Sequence, residues 1–258
     1  MGVVPRREAA TRRLLRIPVL GRPLAGVKDW LFRIVPDLRP PLRGAAAGCL
    51  LRVPVLGRSL TRLNDRLFVR EFTRDLRRLH DVLAGTELAG RFWVWAGMLL
   101  GWAREGRLLA HDRDADFALL PEDVPRLLRA ALALRRAGFR PWLQFRNNEG
   151  QVTQFTFRRH RTKFEFFVFE PVDGMLRYYS HGWPPDHLVE VQARVPDQEL
   201  VPFDFLGRTW LRHADHEREL ESIYGDWRTP HHDWYYLEDD RAAVCHRPWV
   251  NTDTSWSV

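Results

Sequence analysis

The sequence predicts an α+β fold, with helices packed on a mixed β-sheet, preceded by a basic N-terminal segment. Three observations predict it. From about residue 90 onward, stretches with apolar residues at helical spacing interleave with short aromatic and β-branched runs. The chain has 258 residues, ample for one large domain or one domain with an appendage. Its charge is uneven: residues 1–70 carry 15 Lys and Arg against 4 Asp and Glu, a net +11, the remainder carries −4, and the total is +7. These features divide the chain into a basic segment, 1–62, and a folded domain, 63–258.

The basic segment contains a duplication. Leu14-Leu15-Arg16-Ile17-Pro18-Val19-Leu20-Gly21-Arg22 returns 36 residues later as Leu50-Leu51-Arg52-Val53-Pro54-Val55-Leu56-Gly57-Arg58. Two copies fall short of the roughly three that a solenoid needs. The element either rests on an anionic membrane surface, with Leu and Val inward and Arg toward phosphate, or serves packing or self-association, or is a solvated extension. Nucleic acid ranks last as a partner, because the arginines are interleaved with Leu and Val outside any recognisable binding module.

The elements of the domain follow in order. Phe68, Phe72, Leu76, Leu79 and Leu83 recur at helical spacing and predict an amphipathic helix over 64–83. Phe92-Trp93-Val94-Trp95 reads as a short buried strand, and Gly97 to Glu105 as a turn into a short helix. A second strand runs from Asp112 to Leu120. Pro121 opens a helix with Val124, Leu127, Leu128, Ala131 and Leu134 on one face and Gly138 past its end. Strands are expected over 140–146, 151–157 and 162–169. Asp215 caps a helix in which His216, Leu220, Ile223 and Tyr224 share a face, and Gly225 ends it.

Other classes are set aside. No apolar run approaches the roughly 20 residues of a membrane span, and no leader with a small-residue cleavage site is present. Cys49 and Cys245 match no zinc spacing and suggest no disulfide framework. A cytoplasmic protein, at most peripheral at the inner face of the membrane, is the expectation. The histidines show no metal-ligand spacing, and no glycine-framed serine points to acyl transfer.

The strongest chemical signal is Asp112-Arg113-Asp114-Ala115-Asp116. Alternate residues of a strand share a face, so three carboxylates there repel unless a cation lies among them. Hard divalent ions such as Mg²⁺ or Mn²⁺ take carboxylate oxygen and leave positions for phosphate. Upstream, Gly97-Met98-Leu99-Leu100-Gly101 enters a helix whose free N–H groups suit phosphate, with Arg104 and Arg107 as further donors. Glu165, central in Thr162 to Glu170, is a candidate further carboxylate. It either meets a cation or faces solvent on a half-exposed sheet. Lys163 shares its face and meets phosphate or pairs with Glu165; Glu170 is the weaker alternative. Trp227, beside the turn at Tyr224-Gly225, is the tryptophan placed nearest a ligand.

At these residues the chain resembles the LicD/fukutin family of nucleotidyltransferase-fold proteins, which includes bacterial phosphocholine transferases. The family's glycine, Leu-Leu-Gly, Arg, apolar pair and Asp-x-Asp-x-Asp stand as Gly97, Leu99-Leu100-Gly101, Arg104, Leu108-Leu109 and Asp112 to Asp116. Its later Tyr-Gly, Trp and Pro stand as Tyr224-Gly225, Trp227 and Pro230. The resemblance covers roughly residues 70–232. Met98 stands where the family carries Ser or Thr, His111 where it often has Trp, and Glu165 where Asp is more usual.

The resemblance implies transfer of a phospho-alcohol, phosphocholine or a polyol phosphate, from a CDP-linked donor to a hydroxyl of a cell-surface glycan or its lipid-linked precursor. It implies Mg²⁺ or Mn²⁺ at Asp112, Asp114, Asp116 and Glu165. Gly97, Met98, Gly101, Arg104, Arg107, Lys163, Tyr224 and Trp227 are the expected substrate contacts. Two rivals stay open: nucleotidyl transfer with release of pyrophosphate, and a non-catalytic nucleotide-binding or membrane-surface assembly protein.

Overall fold

The computed structural model describes residues 54–109, 112–182, 188–231 and 233–256, with side chains from Asp65 on. Cys49, the first copy of the duplicated element and His111 lie outside the described residues. So does the second copy up to Val53. Residues Glu71–Val258 form one compact unit, which carries the site.

Helix α1 (Pro54–Ala84) begins ten residues before its expected start. Proline is tolerated in the first helical turn, where its missing N–H has no partner to lose. The apolar stripe becomes legible only further on. Phe72, Leu76, Leu79 and Leu83 are all fully buried. Strand β1 (Phe92–Val94) and helix α2 (Ala96–Glu105) follow. The turn between them places Ala96 at φ 50°, a left-handed conformation that a residue with a Cβ adopts only under constraint. Gly106, at φ 64°, ends α2.

Strand β2 runs from Asp114 to Leu119, two residues later than expected, so Asp112 precedes the strand. Its N–H bonds to Leu109 O at 3.2 Å in a turn. A 3₁₀ turn at Pro121–Asp123 leads into α3 (Val124–Arg136), which buries Leu127, Ala130, Ala131 and Leu134. Leu128, expected on that face, is 41% exposed. A step of four residues from Val124 lands beside the core-facing stripe rather than on it.

Strands β3 (Arg140–Arg146), β4 (Val152–Arg159) and β5 (Thr162–Val168) complete a five-stranded sheet in the order β1-β2-β5-β4-β3. Within it only β2 and β5 pair in parallel; the other neighbours are antiparallel. Phe164 on β5 packs edge-on against Phe72 of α1 and Phe139, burying one face of the sheet. The β4–β5 turn is fastened to α1: buried Asp75 accepts from Arg159 Nε at 3.0 Å and lies 2.6 Å from His160 Nδ1.

Six further strands follow, none of them assigned from sequence. β6 (Glu170–Val172), β7 (Met175–His181), β8 (Val189–Pro196) and β11 (Ala243–Pro248) form an antiparallel sheet in the order β11-β8-β7-β6. β9 (Leu200–Phe205) and β10 (Arg208–His213) form a hairpin. Trp93, Trp95, Phe167, Phe169, Tyr178, Val195 and Ile223 share one apolar cluster joining the two larger sheets. Helix α4 (His216–Tyr224) has the expected ends: Asp215 Oδ1 accepts the Arg218 N–H at 3.1 Å, and Gly225 sits at φ 69°. The architecture is α+β. No described helix is long and apolar enough to cross a membrane.

Candidate active site

The parallel pairing of β2 with β5 builds the site. Its register sets Asp114 opposite Lys163 and Asp116 opposite Glu165, and the two-residue period of a strand puts all four on one face. Lys163 Nζ donates to Asp114 Oδ2 at 2.8 Å and to Glu165 Oε2 at 2.9 Å. The other oxygen of Glu165 accepts from Gln154 Nε2 at 2.8 Å and Thr156 Oγ1 at 3.1 Å. Glu165 is therefore buried, 7% exposed, with both oxygens engaged. A solvent-facing Glu165 is excluded.

Asp112 enters from the segment before β2. A Cβ built on Gly97 lies 2.6 Å from Asp112 Oδ2, closer than real atoms approach. The φ of Gly97 is not left-handed, so glycine supplies space here rather than conformational freedom. The Gly97 N–H, in the first turn of α2, bonds to Asp116. Gly101 likewise makes room for backbone, since a Cβ there meets Arg107 O at 2.7 Å, where the chain returns across α2. Gly97 thus lies against the acidic segment itself, and Gly101 against the backbone of Arg107 and Leu109 that leads to it.

The remaining expected contacts separate. Met98 is 1% exposed and belongs to the core. Arg104 and Arg107 converge on Glu105, at 3.4 and 2.6 Å; Arg107 is largely exposed, whereas Arg104 keeps a buried Nε without a hydrogen-bond partner. Burial, reinforced by the charges of Asp116 and Asp112, holds the Tyr224 hydroxyl well above its ordinary pKa. Trp234 packs 4.7 Å from its ring. Trp227 is buried, its Nε1 unpartnered and Arg228 over its ring at 4.2 Å.

Four carboxylates face one ammonium, and their proton affinities show the imbalance. Burial, then the charge of Asp114, pushes Asp112 well above the carboxylate range. Burial, then Asp114 and Glu165, does the same to Asp116, despite Lys163 and the Gly97 N–H. Burial raises Glu165 against the opposing pull of Lys163. Asp114 alone is lowered: burial works against it, but the Lys163 charge and hydrogen bonds from its neighbours win. Burial would lower Lys163, yet Glu165 and Asp114 hold it above its usual value.

Among the described residues no three His, Cys, Asp or Glu side chains stand ready-made around one ion. The donor set is nevertheless carboxylate oxygen with uncompensated negative charge, and an ammonium already stands in as a cation between two of its members. That chemistry fits a hard divalent ion. Gln154 and Thr156 were not singled out from the sequence. Their signal is two polar residues alternating with Phe155 and Phe157 in a strand whose other face is aromatic.

Residues 90–209 match the family described as LicD/FKTN/FKRP, nucleotidyltransferase domain. The match includes all four carboxylates and Lys163, and ends before Tyr224 and Trp227. No curated protein matches the sequence significantly.

Proposed function

We propose, from the match of residues 90–209 to the LicD/FKTN/FKRP nucleotidyltransferase domain, a transferase of phosphorus-containing groups with a nucleotidyltransferase-like arrangement about its acidic strand. The reading is transfer of phosphocholine or a polyol phosphate from a CDP-linked donor to a hydroxyl of a cell-surface glycan or its precursor, inside the cell. The acceptor oxygen bonds to the phosphorus that carries the alcohol, the bond from that phosphorus to CMP breaks, and the hydroxyl proton passes to a carboxylate.

The observation that carries this reading is the register that brings Asp114 and Asp116 beside Glu165, with Asp112 admitted by Gly97. Asp112, Asp114 and Asp116 are the proposed holders of Mg²⁺ or Mn²⁺, with Glu165 the carboxylate of the neighbouring strand. When bound, a divalent ion supplies charge to offset the phosphate oxygens as the bond to CMP breaks. Around it the chain's own groups position the donor. Arg104 is the proposed phosphate donor, and Tyr224, which feels the charges of Asp116 and Asp112, is the proposed neighbour of the alcohol or base. Buried Met98 offers no hydroxyl, which favours a second reading in which nucleotide binds without transfer.

The test is thermal stabilisation by CDP-choline, CDP-ribitol, CDP-glycerol, CTP, ATP and UDP-sugars with Mg²⁺ or Mn²⁺, beside an Asp114→Ala, Asp116→Ala variant. A ligand at 100 times its Kd stabilises by about 2.7 kcal/mol. A metal-dependent shift with a CDP-alcohol, absent in the variant, is expected. A shift only with nucleoside triphosphates makes the reaction nucleotidyl transfer with pyrophosphate release, and no shift with any nucleotide overturns the proposal.

A further inference from the structure

A cation bridging Asp114 and Glu165 already exists in the chain. Lys163 Nζ lies 2.8 Å from Asp114 Oδ2 and 2.9 Å from Glu165 Oε2. A divalent ion held by those two oxygens would need the space that the ammonium fills. It would occupy nearly the same point as the ammonium, and neither overlap nor like charge permits both. The second oxygen of Glu165 is closed as well, because Gln154 Nε2 and Thr156 Oγ1 donate to it from β4. Both partners are buried and held by the sheet: Thr156 sits directly opposite Glu165 in the β4–β5 ladder. Glu165 therefore has three protein donors on two oxygens.

We propose that Lys163 permanently fills the cation position between β2 and β5, that Glu165 positions Lys163 and does not ligate metal, and that the protein binds one divalent ion through Asp112, Asp114 and Asp116. Paired-metal phosphoryl-transfer sites place two ions roughly 3.5–4 Å apart. Here one of the two positive centres is part of the chain. The consequence is a site whose cation count is set by a side chain rather than by metal concentration. The inference rests on the functional reading only for the identity of the ion as divalent, not for the donor or the reaction.

The test is a count of bound Mn²⁺ on the whole chain, by calorimetry and by the loss of the free-ion electron paramagnetic resonance signal, without nucleotide. Native protein takes up one Mn²⁺. Lys163→Met, which frees Asp114 Oδ2 and Glu165 Oε2, takes up two, and Lys163→Arg, which keeps the charge, returns to one. Should Lys163→Met fail to fold, Glu165→Gln decides: it retains one Mn²⁺ if Glu165 positions Lys163, and loses it if Glu165 is a ligand. Two ions in native protein, none in native protein, or one ion in folded Lys163→Met overturns the inference. A native count of one stands even if no CDP-alcohol is turned over, and a count of two refutes the inference while leaving the transferase reading intact.

Discussion

Gly97→Ala isolates the contact that admits Asp112 to the site. The added methyl would lie 2.6 Å from Oδ2, 3.4 Å from Cγ and 3.8 Å from Oδ1 of Asp112. Ordinary contact begins near 3.4 Å, so roughly 0.8 Å must be found, by moving Asp112 away from the Asp114 hydrogen bond it makes. Forcing an extra methyl into a packed site costs about 1–3 kcal/mol. Against this, Ala in a helix gains up to about 1 kcal/mol over Gly, and Gly97 lies in α2 with an unstrained φ. The net change in native protein is a loss of about 0–2 kcal/mol. In an Asp112→Ala background the clash partner is gone and only the gain remains. The cycle therefore predicts a coupling energy of at least about 1 kcal/mol. Urea denaturation of the four proteins without metal, with equal m-values as the check on two-state behaviour, measures it. A Gly97→Ala effect that is the same in both backgrounds, within about 0.5 kcal/mol, refutes the contact and the role assigned to this glycine.

Two predictions concern the supporting structure. Burial, opposed only by a backbone contact from Arg146, depresses His181 from 6.5 to about 3. The folded state then binds fewer protons than the unfolded one between those values, so stability is full above pH 6.5 and declines as pH falls toward 3. At about 1.4 kcal/mol per unit, the decline attributable to His181 reaches roughly 2 kcal/mol at about pH 5. His181→Phe, which retains a ring between Phe145 and Trp249, should remove that part of the pH dependence, read as the stability difference between the two proteins from about pH 5 to 7. An unchanged difference across that range would be the contrary result. Asp75→Ala leaves Arg159, 18% exposed in its side chain, without its buried carboxylate and should cost about 3–5 kcal/mol by denaturant titration; a loss below about 1 kcal/mol would show that the β4–β5 turn is not held by this pair.

The strands carrying the carboxylates were legible because their signal is local. Phe164, Phe166 and Phe117 fill one face of the sheet, and Asp114, Asp116, Lys163 and Glu165 the other, so alternation marks both strands at once. Helix ends at Asp215 and Gly225 were legible for the same reason, each depending on one residue. The second sheet was not. Val191, Ala193 and Val195 alternate in β8, but Pro171, Pro196, Pro202 and Pro248 punctuate β6, β8, β9 and β11 and mimic loop. Pairings such as β11 with β8 join segments far apart in the chain, as Ala243 with Ala193, which no local pattern specifies. In the site, sequence identified the carboxylates but left Lys163 between phosphate and Glu165. Only the β2–β5 register shows that it also reaches Asp114, because the separation along the chain hides that these residues are neighbours.

Transfer of a phospho-alcohol at the acidic face of β2 and β5 is tested most directly by identifying the phosphate compound released. Native protein and the Asp114→Ala, Asp116→Ala variant are incubated with Mn²⁺, a glycan acceptor and whichever CDP-alcohol stabilises the protein. CMP in equimolar amount with phospho-alcohol joined to the acceptor, and neither from the variant, is the predicted result; pyrophosphate from a nucleoside triphosphate, or equal CMP release by the variant, would contradict it.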